Sequence, residues 1–194
     1  MGISSKVVIP KVEDILSKIN KDSITMIELG NQHIDHNHKA IGTPAKTFYE
    51  SKGINHISID INGKDGAIPL DLSKDIPVVY EGGCDILTNH GTTEHIPNQE
   101  TVFKNIHGMC AEGGYMIHQV PIPKTWHGHC IFYYDLEFFD KLASMNGYEV
   151  IENRLLNEGM YVGSRAMIWC VLRKLKNSDY VGIPYSINED GNKI

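Results

Sequence analysis

The fold prediction starts from the segment Ile24-Thr-Met-Ile-Glu-Leu-Gly-Asn-Gln-His-Ile-Asp35. Its apolar run from Ile24 to Leu29 stops at Gly30, which is typical of a parallel strand whose two faces are both covered. Such a strand carries Glu28 toward its carboxyl end, where open α/β sheets bind their ligands. The segment therefore predicts the first strand and the first binding loop of a nucleotide-type site.

The rest of the sequence alternates between short apolar runs and amphipathic segments. Alternation of strands and helices favours a mostly parallel sheet with right-handed crossovers. The last two strands have no helical pattern between them, which predicts an antiparallel hairpin. We therefore predict an α/β fold with a doubly wound, Rossmann-like sheet of seven strands. Beyond the first strand, the predicted elements are helices at 9–19, 43–51, 98–110 and 135–146, strands at 56–61, 67–72, 85–88, 115–120, 148–151 and 167–172, and a polar loop at 31–42.

The length and composition indicate one globular domain. The chain has 194 residues, of which 41% are apolar, enough for a full core. We expect a single domain over residues 1–176, which begins with a helix. Residues 177–194 show no periodicity and predict an irregular, mobile C-terminal tail.

The net charge and the cysteine pattern indicate which binding partners and which cellular location to expect. The net charge is -6, and no basic run exceeds Arg173-Lys174, so nucleic acid is an unfavourable partner. No apolar stretch approaches the roughly 20 residues that cross a bilayer. Four widely spaced cysteines without a signal peptide predict reduced thiols and a cytoplasmic location. A small molecule is the expected partner, and homo-oligomer formation is left open.

Five segments between residues 24 and 172 occur in an informative order. Ile27-Glu-Leu-Gly30 and Ile57-Ser-Ile-Asp60 each end a predicted strand, and Pro69-Leu-Asp-Leu72 follows them. Cys84-Asp-Ile-Leu-Thr-Asn-His-Gly-Thr-Thr-Glu-His-Ile-Pro-Asn98 carries a strand and a Glu-His pair, and residues 110–121 place Gly-Gly before a strand. In this order the segments resemble those of class I S-adenosylmethionine-dependent methyltransferases of the small-molecule type.

The resemblance implies a site for S-adenosyl-L-methionine. By that resemblance, Asp60 accepts hydrogen bonds from the ribose hydroxyls, and Asp71 takes the adenine amino group with backbone help from Leu72. The first glycine motif is degenerate, because Gln32 and Ile34 stand where the family has glycines. Asn31 and Gln32 are therefore expected to contact the methionine end. The full set of predicted cofactor-binding residues is Glu28, Gly30, Asn31, Gln32, Asp60, Ile61, Asp71, Leu72, Asn89 and His90.

The predicted catalytic residues are Glu94, His95 and His129. The segment 126–139 follows the fifth strand and is expected to lie over the site. In some relatives of the Glu-His segment, a divalent metal is held by an earlier acid, by the Glu-His pair and by a later histidine. Gly91 replaces the earlier acid here, so the metal is left undetermined and a neutral histidine acting as general base is favoured.

The predicted function is transfer of a methyl group from S-adenosylmethionine to an oxygen or nitrogen of a small-molecule acceptor. One alternative is a catalytically inactive protein that binds S-adenosylmethionine, since the first loop lacks its usual glycines. Another is a nicotinamide-dependent oxidoreductase. That alternative requires Gly-x-Gly-x-x-Gly after the first strand, and this chain has Gly-Asn-Gln-His-Ile-Asp instead.

Overall fold

The computed structural model describes residues 3–35, 42–156 and 166–194. The described residues form nine strands, which belong to a six-stranded main sheet and a three-stranded small sheet. The strands are β1 (Ile3–Ser4), β2 (Thr25–Leu29), β3 (His33–Asp35), β4 (Thr43–Pro44), β5 (Asn55–Ile59), β6 (Cys84–His90), β7 (Cys110–Pro121), β8 (Tyr148–Leu156) and β9 (Met167–Lys174).

The main sheet has the strand order β5-β2-β6-β7-β9-β8. Its first four strands are parallel, so the carboxyl ends of β2, β5 and β6 lie at one edge. Strand β9 runs antiparallel to both β7 and β8. The predicted Rossmann-like α/β fold, in which the last two strands form an antiparallel pair, is therefore confirmed.

One predicted strand is absent, so the described sheet has six strands rather than seven. In the segment 67–72, only Ile68 pairs with the sheet, through a single bridge to Ile59. Pro69 follows directly and lacks the N–H group that a ladder needs, which explains why the pairing stops there. The apolar run was the right length for a strand, but its proline prevents one.

Four α-helices of the described residues cover the sheet, and side-chain caps mark the starts of the last two. The Asn98 side chain accepts a hydrogen bond from the Thr101 amide at 3.1 Å, and Asp135 does the same for the Phe138 amide at 2.7 Å. Gly147 ends the last helix with a φ of 70°. The helices are α1 (Val8–Leu16), α2 (Ala45–Glu50), α3 (Gln99–Met109) and α4 (Leu136–Asn146).

The period-2 alternation of β2 divides its side chains between two core layers. Ile27 and Leu29 belong to the core that packs with α3 and α4, whereas Met26 belongs to the core that packs with α1 and α2. Glu28 shares the face of Met26, because alternate residues of a strand point to the same side. Its side chain is therefore directed under the first binding loop, toward α2.

The C-terminal tail is irregular but packed. Residues 177–194, all of which the structure describes, contain no helix and no strand of more than an isolated bridge. Tyr180, Ile183 and Tyr185 pack against the larger core, and Ile187 is only 1% exposed. The structure thus shows an irregular tail attached to the domain by buried side chains, and its mobility stays a prediction.

The predicted polar loop at 31–42 contains strand β3, which pairs with β1 and β4 in the small sheet. Residues 36–41 of that predicted loop lie outside the described residues. No helix within the described part of the chain is both long enough and apolar enough to cross a membrane.

Candidate functional site

A cavity of about 450 Å³ opens at the carboxyl ends of β2, β5 and β6. We call it the strand-end cavity. Its volume is that of a small-molecule site, and open α/β sheets bind ligands at this edge. It is lined by Gly30, Asn31, Gln32, Ile59, Asp60, Ile61, Leu70, Asp71, Leu72, Ser73, Gly91, Thr92, His95, Ile96 and Pro97.

Asp60 lies at the end of β5, on the wall of this cavity. Its Oδ2 accepts a hydrogen bond from the Asn31 amide at 2.8 Å, and its Oδ1 accepts one from the Asn62 amide at 2.8 Å. A carboxylate can accept about four hydrogen bonds, so two remain for a ligand. Ile61 is 72% exposed beside it and offers an apolar surface at the same wall.

Asp71 is fixed by the residue two positions further on. Its Oδ1 accepts hydrogen bonds from the Ser73 amide at 3.0 Å and from the Ser73 hydroxyl at 2.6 Å. These bonds lower the pKa of Asp71, which keeps it ionised at neutral pH. Ser73 was not predicted as a site residue, although an Asp followed by Ser two residues later is a common turn signal.

Gly30 lies where the end of β2 approaches the turn after β6. Its φ of +85° is in the left-handed region, and a Cβ added there would lie 2.6 Å from Thr92 Oγ1 and 2.7 Å from Gln32 Nε2. The Thr92 hydroxyl also donates to the Leu29 carbonyl at 2.7 Å. This close approach requires glycine at position 30.

Glu28 lies beneath the first binding loop and does not line the cavity. It is fully buried, and its Oε2 accepts hydrogen bonds from the Gln32 amide at 3.3 Å and the Ser58 hydroxyl at 3.1 Å. Its Oε1 lies 3.9 Å from His56 Nε2. Burial raises the pKa of Glu28 to about 8 and lowers that of His56 to about 4, so both are uncharged at pH 7. We call Glu28, His56 and Ser58 the buried glutamate cluster.

Asn89 and His90 lie behind the cavity wall. Asn89 Oδ1 accepts hydrogen bonds from the Thr92 amide at 3.3 Å and the Thr93 amide at 3.2 Å, so it shapes the turn that follows β6. His90 is 3% exposed, and its Nδ1 lies 3.1 Å from Gln119 Oε1. Of the ten predicted cofactor-binding residues, Asn89, His90 and Glu28 are the three that do not line the cavity. Their contact with a cofactor stays a prediction.

The three predicted catalytic residues converge next to the cavity, and we call them the histidine cluster. Glu94, His95 and His129 each offer one ligand atom, and these atoms all lie within 4.8 Å of one another. The His95 side chain is 43% exposed and lines the cavity, and its ring centroid lies 5.1 Å from that of His129. Burial, and secondarily the charge of His129, lower the pKa of His95.

Glu94 is the buried member of the histidine cluster. Its side chain is fully buried, and neither carboxylate oxygen has a hydrogen-bond partner among the described residues. His95 Nε2 lies 4.0 Å from its Oε1. Burial raises the pKa of Glu94 to about 7. A buried carboxyl without a donor is costly, so this arrangement suits a group that binds a positively charged ligand.

Long-range hydrogen bonds hold the turn that carries Glu94. The backbone amides of Ile131 and Phe132 both donate to the Glu94 carbonyl, at 3.0 and 3.1 Å. The Tyr134 hydroxyl lies 2.7 Å from Gln99 Oε1, and Gln99 Nε2 donates to the backbone on either side of the turn. Gln99 and Tyr134 were not predicted, and the hydrogen bond between them joins residues 35 positions apart, which no local pattern signals.

Comparison with known proteins was made at the level of sequence and of fold. No protein-family model and no curated protein matches the sequence. Solved structures do match the fold. The 1,6-didemethyltoxoflavin-N1-methyltransferase of Burkholderia thailandensis, with bound S-adenosylhomocysteine, has a TM-score of 0.62 at 10% identity, over 86% of this chain and 77% of that chain.

Two further structures show how varied the proteins of this fold are. The [4+2]-cyclase SpnF has a TM-score of 0.61 at 8% identity, over 90% of this chain and 83% of that chain. The 16S rRNA (adenine(1408)-N(1))-methyltransferase from Catenulisporales acidiphilia, as the W203A mutant, has a TM-score of 0.54 at 9% identity, over 86% and 92%. At these identities the similarity concerns the fold alone. This chain therefore has the fold of the class I S-adenosylmethionine-dependent methyltransferases.

Proposed function

We propose that this protein is a methyltransferase that moves a methyl group from S-adenosylmethionine to an oxygen or nitrogen of a small-molecule acceptor. The observation that carries the proposal is the position of the histidine cluster. His95 belongs both to this cluster and to the lining of the strand-end cavity, so a proton acceptor or metal site adjoins the predicted cofactor site.

The cavity suits the charge of S-adenosylmethionine. Among the described residues, its lining includes Asp60 and Asp71 but no lysine or arginine. A sulfonium cation is favoured by such a wall, whereas the pyrophosphate of a dinucleotide requires donors or positive charge. This difference supports S-adenosylmethionine over the nicotinamide alternative. In the proposed arrangement Asp60 binds the ribose hydroxyls, Asp71 and Leu72 bind the adenine, and Asn31 and Gln32 contact the methionine end.

The donor set of the histidine cluster suits a divalent cation. Two imidazoles and one carboxylate are ligands that Zn²⁺, Mn²⁺ and Fe²⁺ accept, and three protein ligands leave positions open for substrate. The two oxygens of buried Glu94, which have no hydrogen-bond partner in the part of the chain that the structure describes, favour this hypothesis. When bound, the cation would lower the pKa of an acceptor hydroxyl. Glu94, His95 and His129 would hold it, and the walls of the cavity would align the acceptor for in-line displacement.

The metal-free hypothesis assigns the proton to an imidazole. The bond from sulfur to the methyl carbon breaks as the acceptor oxygen or nitrogen bonds to that carbon, and His95 or His129 takes the acceptor's proton. A chelator separates the two hypotheses. Loss of turnover with EDTA and recovery with Mn²⁺ or Zn²⁺ would support the cation, whereas unchanged turnover would support the imidazole base.

A small molecule is the proposed acceptor, because the net charge of -6 opposes binding of a polyanion. Methyl-labelled S-adenosylmethionine offered with a small-molecule extract and, separately, with total RNA tests this directly. We expect label only in the small-molecule arm. Label in RNA alone would overturn the acceptor class, and absence of label in both arms would favour the inactive binder.

Ligand identity is tested first, by isothermal titration with S-adenosylhomocysteine and with NAD. We expect micromolar binding of S-adenosylhomocysteine, about -8 kcal/mol, and none of NAD. Binding of NAD with no heat from S-adenosylhomocysteine would contradict the proposal.

A further inference from the structure

The last nine residues of the chain close into a hairpin-like turn, which we call the C-terminal hairpin (residues 186–194). Ser186 and Ile194 exchange two backbone hydrogen bonds, at 2.9 and 2.8 Å. Between them the Gly191 amide donates to the Asn188 carbonyl at 3.0 Å. These bonds give the hairpin a defined shape although it lies outside both sheets.

The C-terminal hairpin binds both arms of the loop that carries His129, which we call the histidine loop (residues 124–133). On one arm, the Lys124 amide donates to the Glu189 carbonyl at 3.1 Å. On the other arm, the Tyr133 amide donates to the Ile187 carbonyl at 3.0 Å. The hairpin is therefore hydrogen-bonded to both ends of the histidine loop.

The Glu189 side chain reaches the tip of the histidine loop. Its carboxylate accepts hydrogen bonds from the Gly128 amide at 3.2 Å, and its Oε1 lies 2.9 Å from His127 Nδ1. The hydrogen bonds from His127 and from the Gly128 amide lower the pKa of Glu189, so the carboxylate is ionised at neutral pH. Gly128 directly precedes His129. The Glu189 carboxylate thus holds the residue next to a member of the histidine cluster.

Apolar packing adds a second restraint on the same loop. Trp126, Tyr133 and Ile187 are 6%, 1% and 1% exposed and form a small core with Met167. The Tyr133 hydroxyl donates to the Trp126 carbonyl at 2.7 Å, and the Trp126 ring lies 5.0 Å from the His129 ring. His129 is consequently packed against a side chain that the hairpin helps to bury.

We propose that Glu189 is a positioning residue, which holds the tip of the histidine loop so that His129 stays beside Glu94 and His95. This inference rests on the proposed function of the histidine cluster. The loop from 124 to 133 has no helix or strand of its own beyond one bridge. If contacts from outside the loop did not hold it in place, metal binding would have to order it, and the entropy lost would lower the affinity. Groups that orient metal-binding side chains without touching the metal are typically worth roughly tenfold to a hundredfold in metal affinity.

The test measures Zn²⁺ and Co²⁺ binding to the full chain by titration, together with the NMR shift of the His129 Cε1–H group without metal. We expect Glu189→Ala to weaken metal binding roughly tenfold and to move the His129 signal. Glu189→Gln retains an acceptor for the Gly128 amide, so it should restore most of both. Asp75→Ala is the matched control, since it removes another exposed carboxylate, paired with Lys104 at 2.7 Å, far from the loop in sequence.

The outcomes distinguish this inference from the proposed function. If Glu94→Gln abolishes metal binding but Glu189→Ala binds as tightly as wild type, the positioning role is wrong and the cluster stands. If wild type binds neither metal, the cation hypothesis fails, and the His129 NMR signal alone then tests the positioning role of Glu189. A His129 shift in Glu189→Ala that equals that in Asp75→Ala would then overturn the inference.

Discussion

Two clusters in this protein pair a fully buried glutamate with a histidine, and they differ in the hydrogen bonds of the glutamate and in the exposure of the histidine. In the buried glutamate cluster, Oε2 of Glu28 accepts hydrogen bonds from Gln32 and Ser58, and His56 is 2% exposed. Oε1 of Glu28 and both ring nitrogens of His56 have no hydrogen-bond partner among the described residues. In the histidine cluster, neither Glu94 oxygen has a partner among those residues, and the His95 side chain is 43% exposed. The buried glutamate cluster is enclosed by protein, whereas the histidine cluster reaches the strand-end cavity through His95.

The difference shows how the same residue types support different tasks. Burial raises the pKa of both glutamates, to about 8 for Glu28 and about 7 for Glu94. A shifted pKa therefore does not separate a scaffold from a binding group. The neighbouring groups do separate them. Glu28 accepts a hydrogen bond from a loop amide, whereas Glu94 lies beside two imidazoles that could bind the same ligand.

The largest effect should separate the two glutamates directly. We expect Glu94→Gln to weaken Zn²⁺ binding by more than the roughly 10- to 100-fold that loss of an outer-shell partner costs, because a neutral amide replaces a charged ligand. Glu28→Gln is the matched variant and should bind Zn²⁺ as wild type does. Titration of both variants checks this, and equal affinities would remove the distinction between the clusters.

The next effect is the contribution of Glu28 to the free energy of unfolding. Its pKa is raised from 4.5 to about 8 in the folded state, so its contribution to stability is present below pH 4.5 and is lost as the pH rises toward 8. At pH 7 the cost is of the order of 3 kcal/mol. Glu28→Gln cannot ionise and should be more stable than wild type at pH 8.

Urea unfolding at pH 5 and pH 8 measures that gain in the free energy of unfolding. It should grow between the two pH values for Glu28→Gln. Exposed Glu81 provides the control, because Glu81→Gln should behave as wild type at both. A gain that is the same at pH 5 and pH 8 would argue against a raised pKa at Glu28.

A smaller effect tests the cavity wall between the two clusters. If the Asp60 carboxylate holds the ribose hydroxyls, Asp60→Asn should weaken binding of S-adenosylhomocysteine by roughly 1.5–3 kcal/mol, the range for hydrogen bonds to charged groups. Calorimetric titration gives the value. Asp75→Asn serves as control, and normal binding by Asp60→Asn would make Asp60 a turn residue that serves only the Asn31 and Asn62 amides.

The smallest expected effect comes from Ile61, which is 72% exposed at the same wall. Ile61→Ser should weaken S-adenosylhomocysteine binding by about 1 kcal/mol through lost apolar contact, with the melting temperature unchanged. Val78→Ser is the matched control, because Val78 is 73% exposed and does not line the strand-end cavity. If the two variants lose equal affinity, Ile61 has no specific contact with the ligand.

Much of this site was predictable because parallel strands end at a common edge. Gly30, Asp60 and Asp71 could be placed near one another from the order of apolar runs alone, and all three line the cavity. Helix ends were equally local, since Asn98 and Asp135 cap the backbone three residues ahead. The missing third strand has a local cause as well, because Pro69 lacks the N–H group that a strand ladder needs.

Local sequence patterns were enough to predict the α/β fold and the positions of the strand-end acids. Only the packing of distant segments shows that Glu28 is fully buried, that the Glu94 carboxylate has no hydrogen-bond donor among the described residues, and that residues 186–194 are hydrogen-bonded to the loop of His129. The physical reason is range. Periodicity and capping depend on neighbours within a few residues, whereas burial and hydrogen-bond satisfaction depend on which distant segments pack over a side chain.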